Sequence, residues 1–146
     1  MEFTLSAKTT EYAAKLQAFM DTEVFPAEAI YEHQRAELTA AGKPHGLPAI
    51  VEELKVQAKA QGLWNLFLPH SQDPYHGLSV TDYATLAEIT GWSVEIAPEA
   101  LNCSAPDTGN MEVLDMFGTD AQKEQWLKPL LAGEIRSGFA MTEPDR

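Results

Sequence analysis

At 146 residues, 45 % of them apolar, the chain is long enough to bury one core of ordinary size. Its 22 acidic against 10 basic residues give a formal charge of −12 at pH 7, which excludes the clustered Lys and Arg that a nucleic acid or an anionic membrane face demands. A single cysteine, Cys103, excludes an internal disulfide, and no N-terminal apolar stretch resembles a signal peptide or a membrane span, so a soluble, reducing, intracellular setting is expected.

The chain opens with Glu2, Lys8 and Glu11, too acidic for a basic transit peptide, which makes the cytoplasm the expected location. From about residue 6 to 23, Tyr12, Leu16, Phe19 and Met20 fall on one helical face, with Ser6 or Thr9 as the cap. Pro26 suits the first turn of a second, shorter helix that runs through Ile30 and Tyr31 to about Leu38. Two Gly and two Pro between 42 and 48 make a loop. Pro48 opens the next helix, where Ile50, Val51, Leu54 and Ala58 stack at helical spacing before Gly62 stops it. The almost wholly apolar run 63–68 has the length of a buried strand, but between a helix stop and Pro69 it reads better as a buried connector.

Residues 70–77 are polar and turn-rich, as in a surface loop. Ser79 or Thr81 caps a helix that carries Tyr83, Leu86, Ala87 and Ile89 inward until Gly91. Ser93 can start a further turn, and residues 105–109 read as a loop before Asn110 caps a helix holding Val113, Leu114 and Phe117, ended by Gly118. Thr119 and Gln122 then form a capping box, with Asp120 complementing the helix dipole. Trp126, Leu127, Leu130 and Leu131 share one broad face, while Pro129, lacking an amide donor, is expected to kink or tighten the helix near Gln125. Gly133 supplies a left-handed stop, and the alternation Ile135, Ser137, Phe139, Met141 fits a strand. The sum is an all-α domain with the start of one β-strand at its C-terminus.

Residue chemistry by itself points to no active site. His33, His45, His70 and His76 include no i, i+4 pair with a supporting carboxylate or Cys, so they read as solvated loop histidines and no metal is expected. Cys103 has no neighbouring base and reads as a buried structural thiol. Glu52 with Glu53, and Glu99 with Asp107, read as charged helix faces and loop caps rather than acid–base couples. Trp64 and Phe67 read first as core.

The order Gly118-Thr119, Gln122-Lys123, Trp126-Leu127, Pro129-Leu130, Gly133-Glu134 and Phe139-Ala140-Met141-Thr142-Glu143-Pro144 resembles the acyl-CoA dehydrogenase family. Upstream, residues 97–110 (APEALNCSAPDTGN) and 62–69 (GLWNLFLP) resemble the branch that in animals is fused to a phosphotransferase-like domain. In that family a helical N-terminal domain precedes a middle β domain and a C-terminal helical bundle, with FAD and the acyl-CoA thioester between them. The resemblance therefore implies that residues 1–134 are the helical domain and 135–146 the first strand of a truncated β domain, an orphan that should fray or pair elsewhere.

It also implies roles for individual residues. Met141 and Thr142 match positions that meet the pyrimidine edge of the flavin, with Phe139 and Ala140 lining the same edge. Trp64 and Phe67 lie in a region that in the family approaches the acyl-chain pocket, and residues 102–110, from Asn102 on, are the other candidate wall, because small polar residues on a loop are where sites are usually built. The carboxylate that takes the α-proton, while hydride leaves the β-carbon for flavin, belongs to the C-terminal bundle. No catalytic residue is assigned here, and Glu143 is expected to anchor the turn before Pro144. FAD, acyl-CoA and the missing domains are partners of a homo-oligomeric parent, and the chain alone is expected to bind no FAD. The alternative is a non-catalytic helical interaction module that keeps the family scaffold. Both readings expect an exposed apolar surface where a β domain docks.

Overall fold

The computed structural model describes residues 4–69 and 78–142, which form helices, turns and irregular chain with no β-strand among them. Two compact units arise, Met1–Cys103 and Ser104–Arg146. The surface loop expected at 70–77 lies outside the described residues.

The first unit holds α1 (Ala7–Phe19), α2 (Phe25–Ala40), α3 (Ala49–Ala60), α4 (Val80–Thr90) and the single turn α5 (Ala97–Ala100). Helix α1 packs on α4, and α3 on both α2 and α5. Their shared core contains Leu16, Phe19, Met20, Val24, Val51, Leu54, Leu63 and Leu86, each removed from water. A fully buried side chain of this size stabilises by about 1.5–3 kcal/mol, so the apolar stripes seen in the sequence are what hold the helices together. Residues 63–68 are a buried connector made of turns, as their flanking Gly62 and Pro69 imply.

Pro26 stands in the first turn of the second helix, as expected, but that helix is the longer of the two and is not separated from the first. The chain stays helical from Ala7 to Ala40, passing through a π-helical turn at Met20–Val24. An α-helical Pro26 would meet the carbonyl four residues back, at Thr22. The π turn instead sends the Phe25 amide to the Met20 carbonyl, one residue further, and so widens the helix where the ring needs room.

Polar side chains then tie the helix starts together. Ser6 caps α1 by accepting the Thr9 amide, and Ser79 forms a reciprocal capping box with Asp82 on α4. The Asp82 carboxylate also accepts from the Ser6 hydroxyl at 3.0 Å and from the Thr9 hydroxyl, so one acid joins the N-termini of α1 and α4. Hydroxyl donors, Ser79 first and then Thr9 and Ser6, hold its carboxyl at about 2, below an ordinary 3.8. Because the folded value is the lower one, the stabilisation is complete above about pH 4 and fades as pH falls through about 2. In a carboxyl-carbon NMR titration, Asp82 should titrate near pH 2 and Ser79→Ala should move it upward. A wild-type midpoint at the ordinary value would remove this tether.

On α2, Tyr31 and Arg35 donate to Glu95 at 3.4 and 3.0 Å, while Ser93 donates to Glu28 at 3.1 Å. The turn started at Ser93 is thereby fastened to α2. The Gln34 carboxamide accepts the Ile50 amide at 2.9 Å, supplying α3 with the cap that Pro48 cannot provide.

The second unit holds α6 (Asp107–Phe117), α7 (Asp120–Gln122) and α8 (Lys128–Ala132), the last two joined by a π-helical turn at Lys123–Leu127. The capping box of Thr119 and Gln122 and the left-handed Gly133 stop, at φ 74°, are where the sequence puts them. Gly118 ends α6, where a Cβ would run into the Leu114 carbonyl. Three expectations are corrected. The irregularity expected near Gln125 is there, but as a widening rather than a tightening, since the Lys128 amide bonds to the Lys123 carbonyl five residues back, as in the turn before Pro26. Trp126, expected on the apolar face, is half exposed, while Leu127, Leu130 and Leu131, and Met111 on α6, are buried. Helix α6 starts at Asp107 rather than after an Asn110 cap, because the Thr108 and Asn110 amides reach the Ser104 and Pro106 carbonyls and build the first turn from backbone alone.

Candidate functional site

In the second unit the chain leaves Gly133 as an arm that runs without regular structure to Thr142. Ile135 and Ser137 are half-buried and Glu134, Arg136 and Gly138 exposed, so the alternation read from the sequence holds as far as Ser137 and is lost at Phe139 and Met141, which are exposed. The expected strand nevertheless does not form among the described residues, because a strand is defined by a partner backbone and none lies beside this one.

The arm is held by Asp107. This carboxylate is only 2 % exposed and uses both oxygens. Oδ1 accepts the Ser137 amide at 2.7 Å and the Ser137 hydroxyl at 2.5 Å, while Oδ2 accepts Arg136 Nε at 2.5 Å. Asn110 Nδ2 adds a bond to Ser137 Oγ at 2.8 Å. Sequence reasoning took Asp107 for a loop cap and Asn110 for a helix cap. Both act instead on a segment about thirty residues downstream, a pairing that no local spacing encodes.

Past the clamp, the four residues expected at a cofactor edge are open. Phe139 is 61 % and Met141 81 % exposed, and Ala140 and Thr142 are exposed as well. Residues 138–142 make no hydrogen bond to another described residue. Their amides, carbonyls and the Thr142 hydroxyl are a donor and acceptor set without intramolecular use among those residues. Glu143 and Pro144, and the turn expected there, lie outside the described residues.

In the first unit, the residues expected along an acyl chain occupy two apposed loops. Asn65 and Asn102 are both buried and both left-handed, at φ 61° and 56°. Asn102 Nδ2 donates to Asn65 Oδ1 at 2.7 Å, and the Asn65 amide donates to the Leu101 carbonyl at 3.2 Å. Asn is one of the few side chains that tolerate this backbone, which is why it stands at both positions. Phe67 is buried, and the half-buried Trp64 carries the Lys59 ammonium 4.2 Å from its ring centroid. Asn65 was not singled out in the sequence, where an Asn inside an apolar run is the one available clue.

Other reactive groups are quiet. Burial pushes the Cys103 thiol up to about 11 and raises the Tyr83 hydroxyl beside it, so the thiol stays protonated at neutral pH. It borders a cavity of about 10 Å³ together with Leu16 and Leu66, at the limit of room for one water. Among the described residues no three His, Cys, Asp or Glu side chains gather as metal ligands. His33 lies on an exposed face of α2, 3.4 Å from Glu37, rather than in a loop, and His70 and His76 are outside the described residues. No helix of the described residues is long and apolar enough to cross a membrane.

Residues 6–134 match the family described as acyl-CoA dehydrogenase, N-terminal domain. The chain is 57 % identical over 144 residues to "Probable acyl-CoA dehydrogenase FadE2" of Mycobacterium tuberculosis, covering 99 % of this chain and 34 % of that protein. It is 48 % identical over 143 residues to acyl-CoA dehydrogenase family member 11 of Mus musculus, covering 98 % and 18 %. A solved Mycobacterium abscessus structure described as an acyl-CoA dehydrogenase matches with a TM-score of 0.85 and 47 % identity, over 98 % of this chain and 36 % of that one. The chain thus spans about a third or less of the length of these relatives. Sequence match and helical fold together establish that it belongs to the acyl-CoA dehydrogenase family, as the N-terminal helical domain.

Proposed function

We propose that this domain serves an FAD-dependent acyl-CoA dehydrogenase, which removes hydrogen across Cα and Cβ of an acyl-CoA thioester. The observation that carries the reading is the clamped arm. Its open donors at Met141 and Thr142 suit the carbonyl- and nitrogen-rich edge of a flavin. FAD, when bound, supplies the hydride acceptor. The Met141 and Thr142 amides and the Thr142 hydroxyl bind the pyrimidine edge and favour negative charge there, while Phe139 and Ala140 line it. Trp64, Phe67 and Asn102 form the acyl-side wall. The buried pair sets its shape and the half-buried Trp64 offers its accessible surface. No carboxylate of this chain is assigned the α-proton, which falls to a group elsewhere in the parent.

In this reading residues 1–134 are the helical domain and 135–146 the first strand of a β domain. The end of the family match at 134 and the period-two burial of the arm as far as Ser137 support that division. Val113, Met116, Phe117 and Trp126, all exposed, then belong to surface that the rest of a homo-oligomeric parent covers. The acidic composition and lone cysteine favour a cytoplasmic setting. A non-catalytic interaction module also explains exposed apolar side chains, but it leaves the donors of residues 138–142 without a ligand.

A longer protein carrying this domain, expressed with ample FAD, should purify yellow and bleach on addition of an acyl-CoA. The 146-residue chain alone should show no FAD titration, since a single arm cannot enclose a dinucleotide. A full-length product that stays colourless and takes up no FAD refutes the enzyme reading.

A further inference from the structure

We propose that Asp107 is a positioning residue for flavin binding, acting through Ser137 and Arg136 to aim the segment Phe139–Thr142. This deepens the function proposed above and rests on it. Three donors from two consecutive arm residues converge on one buried carboxylate, and one of the donors is a backbone amide. The clamp therefore fixes the main chain of the arm as well as its side chains. A charged acceptor makes these bonds shorter and stronger than neutral ones, and burial keeps water from competing for them. Asn110, one helical turn along α6, holds the same Ser137 hydroxyl from a second direction.

The leverage is geometric. Thr142 lies five residues beyond Ser137, a span of roughly 17 Å if extended. A swing of about 20° at the clamp displaces Thr142 by ~6 Å on that span, beyond the reach of any hydrogen bond it made before. Nothing between Ser137 and Thr142 restrains the segment through another described residue except the Phe139 ring, whose edge lies near Gly109 on α6. Helix α6 thus sets the direction in which the cofactor-facing donors leave the second unit.

The test uses the full-length protein with Asp107→Ala, Asp107→Asn and Ser137→Ala, alongside Met111→Ala. The last removes buried volume from α6 and leaves every clamp atom in place. FAD affinity by titration of apoprotein, the visible flavin spectrum and Tm are read for each. Asp107→Ala should weaken FAD binding on the order of tenfold to a hundredfold and shift the flavin absorption. Asp107→Asn, which keeps an acceptor for Ser137 but faces Arg136 with no charge, should fall between Ala and wild type. Met111→Ala should lower Tm yet keep FAD affinity within about twofold. If Asp107→Ala does not fold, the Asn and Ser137 variants carry the comparison. Wild-type affinity and spectrum in Asp107→Asn, Asp107→Ala and Ser137→Ala overturn the clamp, as does equal weakening by Met111→Ala. A wild-type protein that binds no FAD overturns this inference together with the function beneath it.

Discussion

Phe19→Ala is expected to cost about 3–5 kcal/mol, the range for truncating a fully buried aromatic side chain. Phe19 is 1 % exposed at the end of α1, immediately before the π turn, and belongs to the apolar cluster of the first unit. Alanine loses the transfer free energy of the ring and leaves a hole that rigid neighbours on several helices fill only in part. Against a total of about 5–15 kcal/mol for a typical domain, the loss takes a large share of the folded population. Trp92, also aromatic but 79 % exposed, is the control, and its replacement by Ala should change stability by less than about 0.5 kcal/mol. Urea denaturation followed by far-ultraviolet circular dichroism measures both. A Phe19 loss as small as that of Trp92 would contradict this core.

Asn102→Ala is expected to destabilise by about 2–5 kcal/mol. The Asn65 carboxamide loses a buried partner, at about 1–3 kcal/mol, and an alanine is forced to φ near 56° at about 1–2 kcal/mol more. Asn102→Gly removes the amide but accepts the backbone, so it should be the milder change by the second amount. Comparing the two separates hydrogen bond from backbone conformation. A double-mutant cycle of Asn65→Gly and Asn102→Gly should show coupling of about 0.5–3 kcal/mol, as residues in direct contact do. Additive losses would mean that the two loops are not pinned through this pair. The outcome also bears on function, since an acyl-side wall built on Asn102 keeps its shape only while the pin holds.

The parts of this protein legible in its sequence are those set within one helical turn. Ser6 with Thr9, Ser79 with Asp82 and Thr119 with Gln122 are contacts three residues apart, and each cap is found where the residue types put it. The apolar stripes of α1, α3 and α4 point inward for the same reason, that helical geometry fixes which residues share a face. The connector at 63–68 followed from its two ends. The family, too, is a matter of residues at fixed spacing, and the match over 6–134 agrees with it.

Where sequence reasoning missed, the cause lay beyond that local range. A proline in the first turn of a new helix and a proline after a π turn look alike in one dimension, so the sequence places Pro26 in a first turn and an irregularity near Gln125 but not the continuous wide turn before each proline. That Trp126 leaves the apolar face while Leu127, Leu130 and Leu131 keep it is likewise visible only in the folded unit.

Composition, periodicity and capping thus determined, unaided, an all-α domain, the inward faces of α1, α3 and α4, and the glycine stop from which the arm departs. Only the tertiary structure decided which polar groups meet across the chain: Asp82 with Thr9 at a separation of 73 residues, Asn102 with Asn65 at 37, and Asp107 with Ser137 at 30. Helix and turn preferences act between near neighbours. A buried carboxylate or carboxamide, by contrast, finds its donors only after the helices have packed and excluded the water that would otherwise satisfy it.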